Sequence, residues 1–435
     1  MITSNDYRLR RLALAERLPS NSVAVIPAAK EVLRNGDAHY RFRQQSDFYY
    51  LTGFQEPDAV LVLVAAPNSQ SILFTRSRNP GEEQWTGKRL GPEQACAQLA
   101  VDKAYALDEL ETQLASLCRG KQAIVYAIGQ EHHWDHRMLH AFVQAKQHIR
   151  SGVLAPEALI DLMPILGDMR LIKTAKEIQS MREAARITVA AHQRAMHACR
   201  HVHYEYELEA ELMYEMVRQG CRSTAYDSIV ACGENACILH YTANNAPLMD
   251  GALVLIDAGA EFECYAADVT RTFPVNGQFS PEQRLIYELV LEAQKAGIAM
   301  VRPGVPWDVI QKTIIEIITQ GLLDLHILTG DVNDLIATQA YKPFYMHNSG
   351  HWLGLDVHDC GRYRVEGTWR SLEPGMVLTV EPGIYIPSGM QGIDPRWWGI
   401  GVRIEDDILV TPAGYENLTA GLMVEVSEIE AFMRG

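Results

Sequence analysis

Long apolar runs are missing from this 435-residue chain, and so is any excess of basic charge. The longest apolar run, Ala59 to Ala66, has the length of a buried strand, far short of the ~18 residues a membrane helix needs. The opening MITSNDYRLRRLALAERL is charged throughout and has no apolar core, which argues against a secretory signal. Lys and Arg number 39 against 54 Asp and Glu, a formal net charge of −15. Nonspecific nucleic-acid binding needs the opposite sign to displace counterions. The eight cysteines form no C-x-x-C pair, so they read as reduced thiols and not as a disulfide framework. These absences lead us to expect a cytoplasmic protein with no nucleic-acid and no membrane partner.

What is present is ordinary for a globular chain, 48% hydrophobic and 21% charged. The length suggests two or three domains at roughly 150 residues each. Residues 1–172 alternate short strands and helices, with a helix over 5–18 and strands at Val23–Ile26, Val60–Ala65, Ser71–Phe74 and Ile124–Tyr126, an α/β pattern. A boundary falls near 172. Thr174 and Glu177 then form a capping box opening a helix to about His197, and a second helix covers 204–219. Ser280 and Gln283 form another box, with Pro281 at the first helical position, and that helix ends before Pro303. One more helix follows Pro306 to about Leu323. Strands predominate after 250. The expected domains are 1–172 and 173–435.

The second half contains an internal echo. Gly251-Ala-Leu-Val-Leu-Ile-Asp257 and Gly375-Met-Val-Leu-Thr-Val-Glu381 share one form: a glycine turn, an apolar strand, then an acid six residues after the glycine. An acid ending a buried strand is costly unless paired or metal-bound. Two such frames suggest duplicated halves with a site between them.

The polar residues embedded in this apolar half are Asp257, Asp268, His351, Glu381 and Glu405. Four carboxylates in one site would repel one another and raise their pKa values. Two divalent cations would balance the charge. Four oxygen donors and one nitrogen make a hard set that favours manganese and also permits cobalt, iron, zinc or magnesium. Two such metals can polarise a carbonyl and generate hydroxide at neutral pH. Taken singly, each acid has a plainer reading: Asp257 as a turn cap, Glu405 as a partner of Arg403.

The ordered set resembles the metallopeptidases that include methionine aminopeptidase, prolidase and aminopeptidase P. Its contexts here are LIDAG, AADVTRTF, HNSGHWLG, TVEPG and GVRIEDD. The resemblance covers about 175–435 and implies the α/β pita-bread fold with pseudo-twofold duplicated halves. The stretch from Tyr40 to Asp58, YRFRQQSDFYYLTGFQEPD, resembles the N-terminal domain of the bacterial aminopeptidase P branch. That branch, the Xaa-Pro aminopeptidases, removes an N-terminal residue preceding proline.

The resemblance implies roles residue by residue. Asp257 chelates one metal, Asp268 and Glu405 bridge both, and His351 and Glu381 complete the second. A metal-bridging hydroxide attacks the Xaa-Pro carbonyl, and Glu381 orients it and shuttles its proton. His240 and His358 divide oxyanion stabilisation and substrate positioning between them. His347, Tyr226, Arg403 and Arg370 line the cleft. Asp37 and Trp85 reach an active site, in a neighbouring subunit of a homodimer or homotetramer. The partners implied are peptides with proline in second position. Prolidase, acting on Xaa-Pro dipeptides with the same ligands, is the alternative; a non-catalytic binding protein on this fold is disfavoured because all five ligands are kept.

Two features depart from the family pattern: Asn348 stands where glycine is usual, and the Pro387–Trp398 segment is rich in Gly, Pro and Trp. His132, His136 and His140 share a helical face but lack the H-E-x-x-H glutamate, so a solvated face is expected. Gly81 to Arg89 resembles a phosphate loop with wrong spacing and no Ser or Thr at its end.

Overall fold

The structure is a computed structural model describing residues 2–147 and 149–434. The chain divides into two compact units, Met1–Arg170 and Leu171–Gly435.

The N-terminal unit is built on a six-stranded mixed sheet. Its order is Lys103–Ala106, Gln70–Thr75, Val60–Val64, Ser22–Pro27, Ala123–Tyr126, Ala158–Asp161. The Ser22–Pro27 strand pairs antiparallel with Val60–Val64 and parallel with Ala123–Tyr126. These strands are continuous apolar runs because helices cover the sheet. The His132–Lys146 helix buries Trp134, Met138, Ala141 and Ala145, and His132, His136 and His140 are exposed, as a solvated face requires. Residues 80–86 form a helix, Pro80–Thr86, capped by Asn79, so the phosphate-loop likeness has no loop behind it.

The second unit repeats one plan. The helices Ala175–Ala198 and Glu205–Arg218 precede an antiparallel sheet in which Leu253–Asp257 lies between Ile229–Cys232 and Thr270–Pro274. The helices Pro281–Ala299 and Asp308–Asp324 precede the antiparallel strands Val377–Val380, Asp406–Thr411 and Gly414–Asn417, and the hairpin Gly383–Ile386 with Ile400–Arg403. Both expected capping boxes form. The echoing strands each follow a left-handed glycine, Gly251 at φ 76° and Gly375 at φ 93°, where a side chain would be strained. Leu253 to Ile256 and Val377 to Val380 are buried. Each apolar residue among them contributes roughly 1.5–3 kcal/mol, which fixes both acid-bearing strand ends in the centre of the unit. No described helix is long and apolar enough to cross a membrane.

Polar contacts from the first helix pin the turn after Asp257. Thr188 Oγ1 accepts the Ala260 N–H at 2.9 Å, and His192 Nε2 lies 3.0 Å from the Ala258 carbonyl. Burial drops the His192 pKa to about 4, so the ring is neutral and donates there. A Cβ on Gly259 would sit 1.7 Å from the Ala267 carbonyl oxygen; only glycine permits this approach.

Candidate metal centre

A cavity of about 560 Å³ opens within the second unit. Asp257, Asp268, His351, Glu381 and Glu405 all line it, with His240, His347, His358, Tyr226 and Arg403. The sheets explain the convergence. Asp257 ends a central strand opposite Thr270. Asp268 lies just before the partner strand, Glu381 follows Val377–Val380, and Glu405 sits between Ile400–Arg403 and Asp406–Thr411. A Cβ on Gly350 would lie 2.1 Å from the Thr379 carbonyl oxygen. Glycine there lets the chain bring His351 against the Glu381 strand, where Thr379 N–H donates to the His351 carbonyl.

Among the described residues, Asp268, His351 and Glu405 offer donor atoms all within 4.8 Å of one another. Asp257 and Glu381 flank that group. His351 Nε2 is 3.2 Å from Asp268 Oδ2 and 3.6 Å from Glu381 Oε1. His351 Nδ1 lies 3.0 Å from the Trp352 carbonyl, which places a proton on Nδ1 and aims Nε2 at the acids. Tyr226 Oη lies 2.5 Å from both Asp257 Oδ1 and Asp268 Oδ1. Arg403 donates to Asp257 Oδ2 at 2.6 Å and to Tyr385 Oη at 3.0 Å. Tyr385 Oη is 2.8 Å from His347 Nε2, and His347 Nδ1 is 2.8 Å from the Asn348 carbonyl. Asp257, Arg403, Tyr385 and His347 therefore form one hydrogen-bonded chain along the cavity.

The electrostatics fit divalent cations. Burial and the neighbouring acids push the Glu405 carboxyl well above its usual range, Asp257 rises for the same reasons against the pull of Arg403, and burial with Asp268 lifts Glu381 to about 7. Burial opposes the His351 charge, but the hydrogen bond to Asp268 and the charge of Glu381 outweigh it and raise the ring to about 9. Burial also opposes the Asp268 charge, yet the His351 hydrogen bond keeps that carboxyl below its usual value. The lining holds five carboxylates, Asp227 with the four candidate ligands, against the Arg403 guanidinium and the His351 imidazolium. The surplus negative charge, hard oxygen donors and an imidazole presenting Nε2 make a site that divalent metal satisfies.

A pH dependence follows. The His351 imidazolium stabilises the metal-free fold fully below about 6.5, and this is lost as pH rises through about 9. Protonated Glu381 contributes in the same direction and is lost through about 7. Both protons must leave for metal to bind. Manganese affinity, measured by calorimetry, is therefore expected to rise on the order of 1000-fold from pH 6 to pH 8; a flat profile would contradict the ligand set.

The other expected residues divide. His358 lines the cavity with its ring centroid 4.4 Å from that of His351; burial and the His351 charge lower its pKa. His240 also lines it. Arg403 pairs with Asp257 and not with Glu405 as the neighbouring-residue reading supposed, because the hairpin aims its guanidinium across the sheet. Tyr226 lines the cavity as expected, with its hydroxyl on two aspartates. Arg370 does not line the cavity: it braces the chain near Tyr363, with its N–H on the Tyr363 carbonyl and its guanidinium on the Arg362 carbonyl. Asp37 and Trp85 belong to the N-terminal unit, Asp37 exposed in the turn between Leu33–Asn35 and Ala38–His39, Trp85 88% exposed on Pro80–Thr86. Asn348 lines the cavity without left-handed backbone. The Pro387–Trp398 segment links the two hairpin strands, and Ser388 donates to Glu234.

Several supporting residues escape a sequence reading. Thr270 Oγ1 donates to Glu405 Oε2 at 2.7 Å, Arg271 donates to Asp406, and the Asp407 carboxylate accepts the Asp268 N–H. The signal was the run Glu405-Asp406-Asp407: three consecutive buried acids each need a separate partner.

Two helix pairs over antiparallel strands, with four acids and a histidine converging at their meeting point, define a metal-dependent hydrolase of the pita-bread fold. Residues 179–412 match Metallopeptidase family M24, and residues 7–126 match the Aminopeptidase P, N-terminal domain. The chain is 46% identical to the Xaa-Pro aminopeptidase of Escherichia coli over 99% of its own length and 98% of that protein. It resembles the structure of Pseudomonas aeruginosa aminopeptidase PepP with a TM-score of 0.97 and 48% identity, covering 100% of this chain and 98% of that one. An Escherichia coli aminopeptidase P variant in complex with substrate matches with a TM-score of 0.96 and 46% identity, over 100% and 98% of the two chains. The chain belongs to metallopeptidase family M24, in its Xaa-Pro aminopeptidase branch.

Proposed function

We propose that this protein is an Xaa-Pro aminopeptidase that releases the first residue of peptides carrying proline in second position, using two divalent ions, by preference manganese. The observation that carries the reading is the convergence of Asp257, Asp268, His351, Glu381 and Glu405 on one cavity. The relatives' name and the substrate complex of one of them support the peptide class.

In this reading Asp257, Asp268, His351, Glu381 and Glu405 would hold the metals. When bound, the ions polarise the scissile carbonyl and make water acidic enough to act as nucleophile at neutral pH. Glu381, in the same cavity, would orient the nucleophile and shuttle its proton as general base and acid. His240 and His358 project into the same cavity; one donates to the developing oxyanion and the other positions the peptide. Neutral His347, lowered to about 4 by burial and by Arg403, orients through Tyr385 without adding charge. Proline has no amide N–H, so recognition rests on the shape of the cavity and on the carbonyl. The eight cysteines are all free thiols, which supports a cytoplasmic setting. The reading includes a homodimer or homotetramer in which exposed Asp37 and Trp85 face a neighbouring copy.

Peptide length tests the reading. Manganese-loaded protein is expected to cleave Xaa-Pro-Xaa tripeptides faster than Xaa-Pro dipeptides, measured by release of the free first residue. Cleavage of dipeptides alone would make the protein a prolidase.

A further inference from the structure

Glu205 opens the Glu205–Arg218 helix, is fully buried and has no part in the cavity. Its carboxylate accepts four hydrogen bonds. Oε1 takes the Cys232 N–H at 2.8 Å and Asn235 Nδ2 at 3.0 Å; Oε2 takes Tyr241 Oη at 2.8 Å and the Ala246 N–H at 2.8 Å. Four donors fill the acceptor sites of a carboxylate. The helix N-terminus adds its favourable dipole. The Glu205 N–H also donates to the Ala246 carbonyl at 3.0 Å.

All four donors belong to one connecting segment, from the end of the Ile229–Cys232 strand to Ala246. That segment carries Leu239, His240 and Thr242 into the cavity. Tyr241, beside His240, is tied to Glu205. A second tie lies near the far end, where Asn244 Oδ1 accepts the Val230 N–H and Nδ2 donates to the Ser228 carbonyl. A loop of this length otherwise samples many conformations. A buried charge satisfied only by hydrogen bonds from one loop is a costly device for mere packing.

We propose that Glu205 is a positioning residue that sets the place of His240 in the cavity by clamping both ends and the middle of the 232–246 segment. This deepens the peptidase reading and rests on His240 acting in turnover.

Glu205→Gln isolates the effect. The amide oxygen still accepts from Cys232 and Asn235, but the new NH₂ faces the Ala246 N–H and cannot accept from Tyr241. The His240 flank is released while the strand end stays tied. The experiment is a double-variant cycle on the manganese-loaded enzyme with Glu205→Gln, His240→Ala and the pair, reading kcat and KM separately and checking the fold by thermal melting. Glu205→Gln is expected to lower kcat/KM by about tenfold, divided between kcat and KM as in His240→Ala. The double variant is expected within about twofold of His240→Ala alone, because both changes act through one side chain. Losses that multiply in the double variant, with His240→Ala impaired, would overturn the clamp and leave the peptidase reading standing. Wild-type activity of folded Glu205→Gln would overturn the clamp as well. Full activity of His240→Ala would remove the assigned role of His240 and the clamp together. Should Glu205→Gln fail to fold, Tyr241→Phe enters the same cycle with the same expectations, since it removes the hydrogen bond next to His240 and keeps the other three.

Discussion

Glu405→Ala is expected to reduce kcat/KM by at least about 1000-fold and at the same time to leave the metal-free protein as stable as before or more so. The two signs have one cause. Glu405 is buried, its Oε2 accepts from Thr270, and burial with the charges of Asp268 and Glu381 raises its pKa well above normal. Without metal, its charge opposes the fold. With metal, the same oxygens belong to the tightest donor group in the cavity. The backbone there is secured independently, since the Glu405 N–H donates to Thr270 and its carbonyl accepts from Arg271 at 2.6 Å, so the side chain can go without unravelling the strand. Thermal melts with and without manganese, beside a metal count per chain, check this. A Glu405→Ala protein that binds its full metal complement and turns over normally would refute the ligand assignment.

Arg403→Met is expected to do the reverse to stability. Arg403 is buried, and its guanidinium holds Asp257, Thr270 and Tyr385. Removing one partner of a buried pair leaves the other charge uncompensated, at a cost of about 3–5 kcal/mol. The loss should be largest in metal-free protein and shrink when manganese is restored, because the cations then answer the Asp257 charge. Activity should fall by about 100-fold or more, because the Tyr385–His347 end of the chain loses its anchor. Equal destabilisation with and without metal would mean that Arg403 acts apart from the centre.

Much of this site was legible in the sequence because each candidate ligand interrupts or ends a buried apolar strand, where a charge needs a reason. The echo of Gly251–Asp257 and Gly375–Glu381 carries into the structure as two left-handed glycines feeding two buried strands. The pairings were illegible. Arg403 stands two residues from Glu405 yet binds Asp257, because Glu405 lies past the end of the Ile400–Arg403 strand and takes its own hydrogen bond from Thr270. Tyr385, which joins Arg403 to His347, reads as one more apolar residue of its strand. The Ser46–Thr52 helix leaves no periodic trace because all seven of its residues are buried, and a helix buried all round has no amphipathic stripe. Val426, Ile429 and Met433 do recur at helical spacing, a signal that an expectation of strands after 250 passes over.

The central claim is a metal-dependent peptidase specific for the bond before proline. Its most direct test strips the purified protein with chelator, restores manganese, and offers Xaa-Pro-Xaa and Xaa-Ala-Xaa tripeptides in one mixture, with the free first residue followed by mass spectrometry. The expected result is no release after chelation, and after manganese release from the proline peptide alone. Equal cleavage of both peptides, or cleavage that survives full removal of metal, would contradict it.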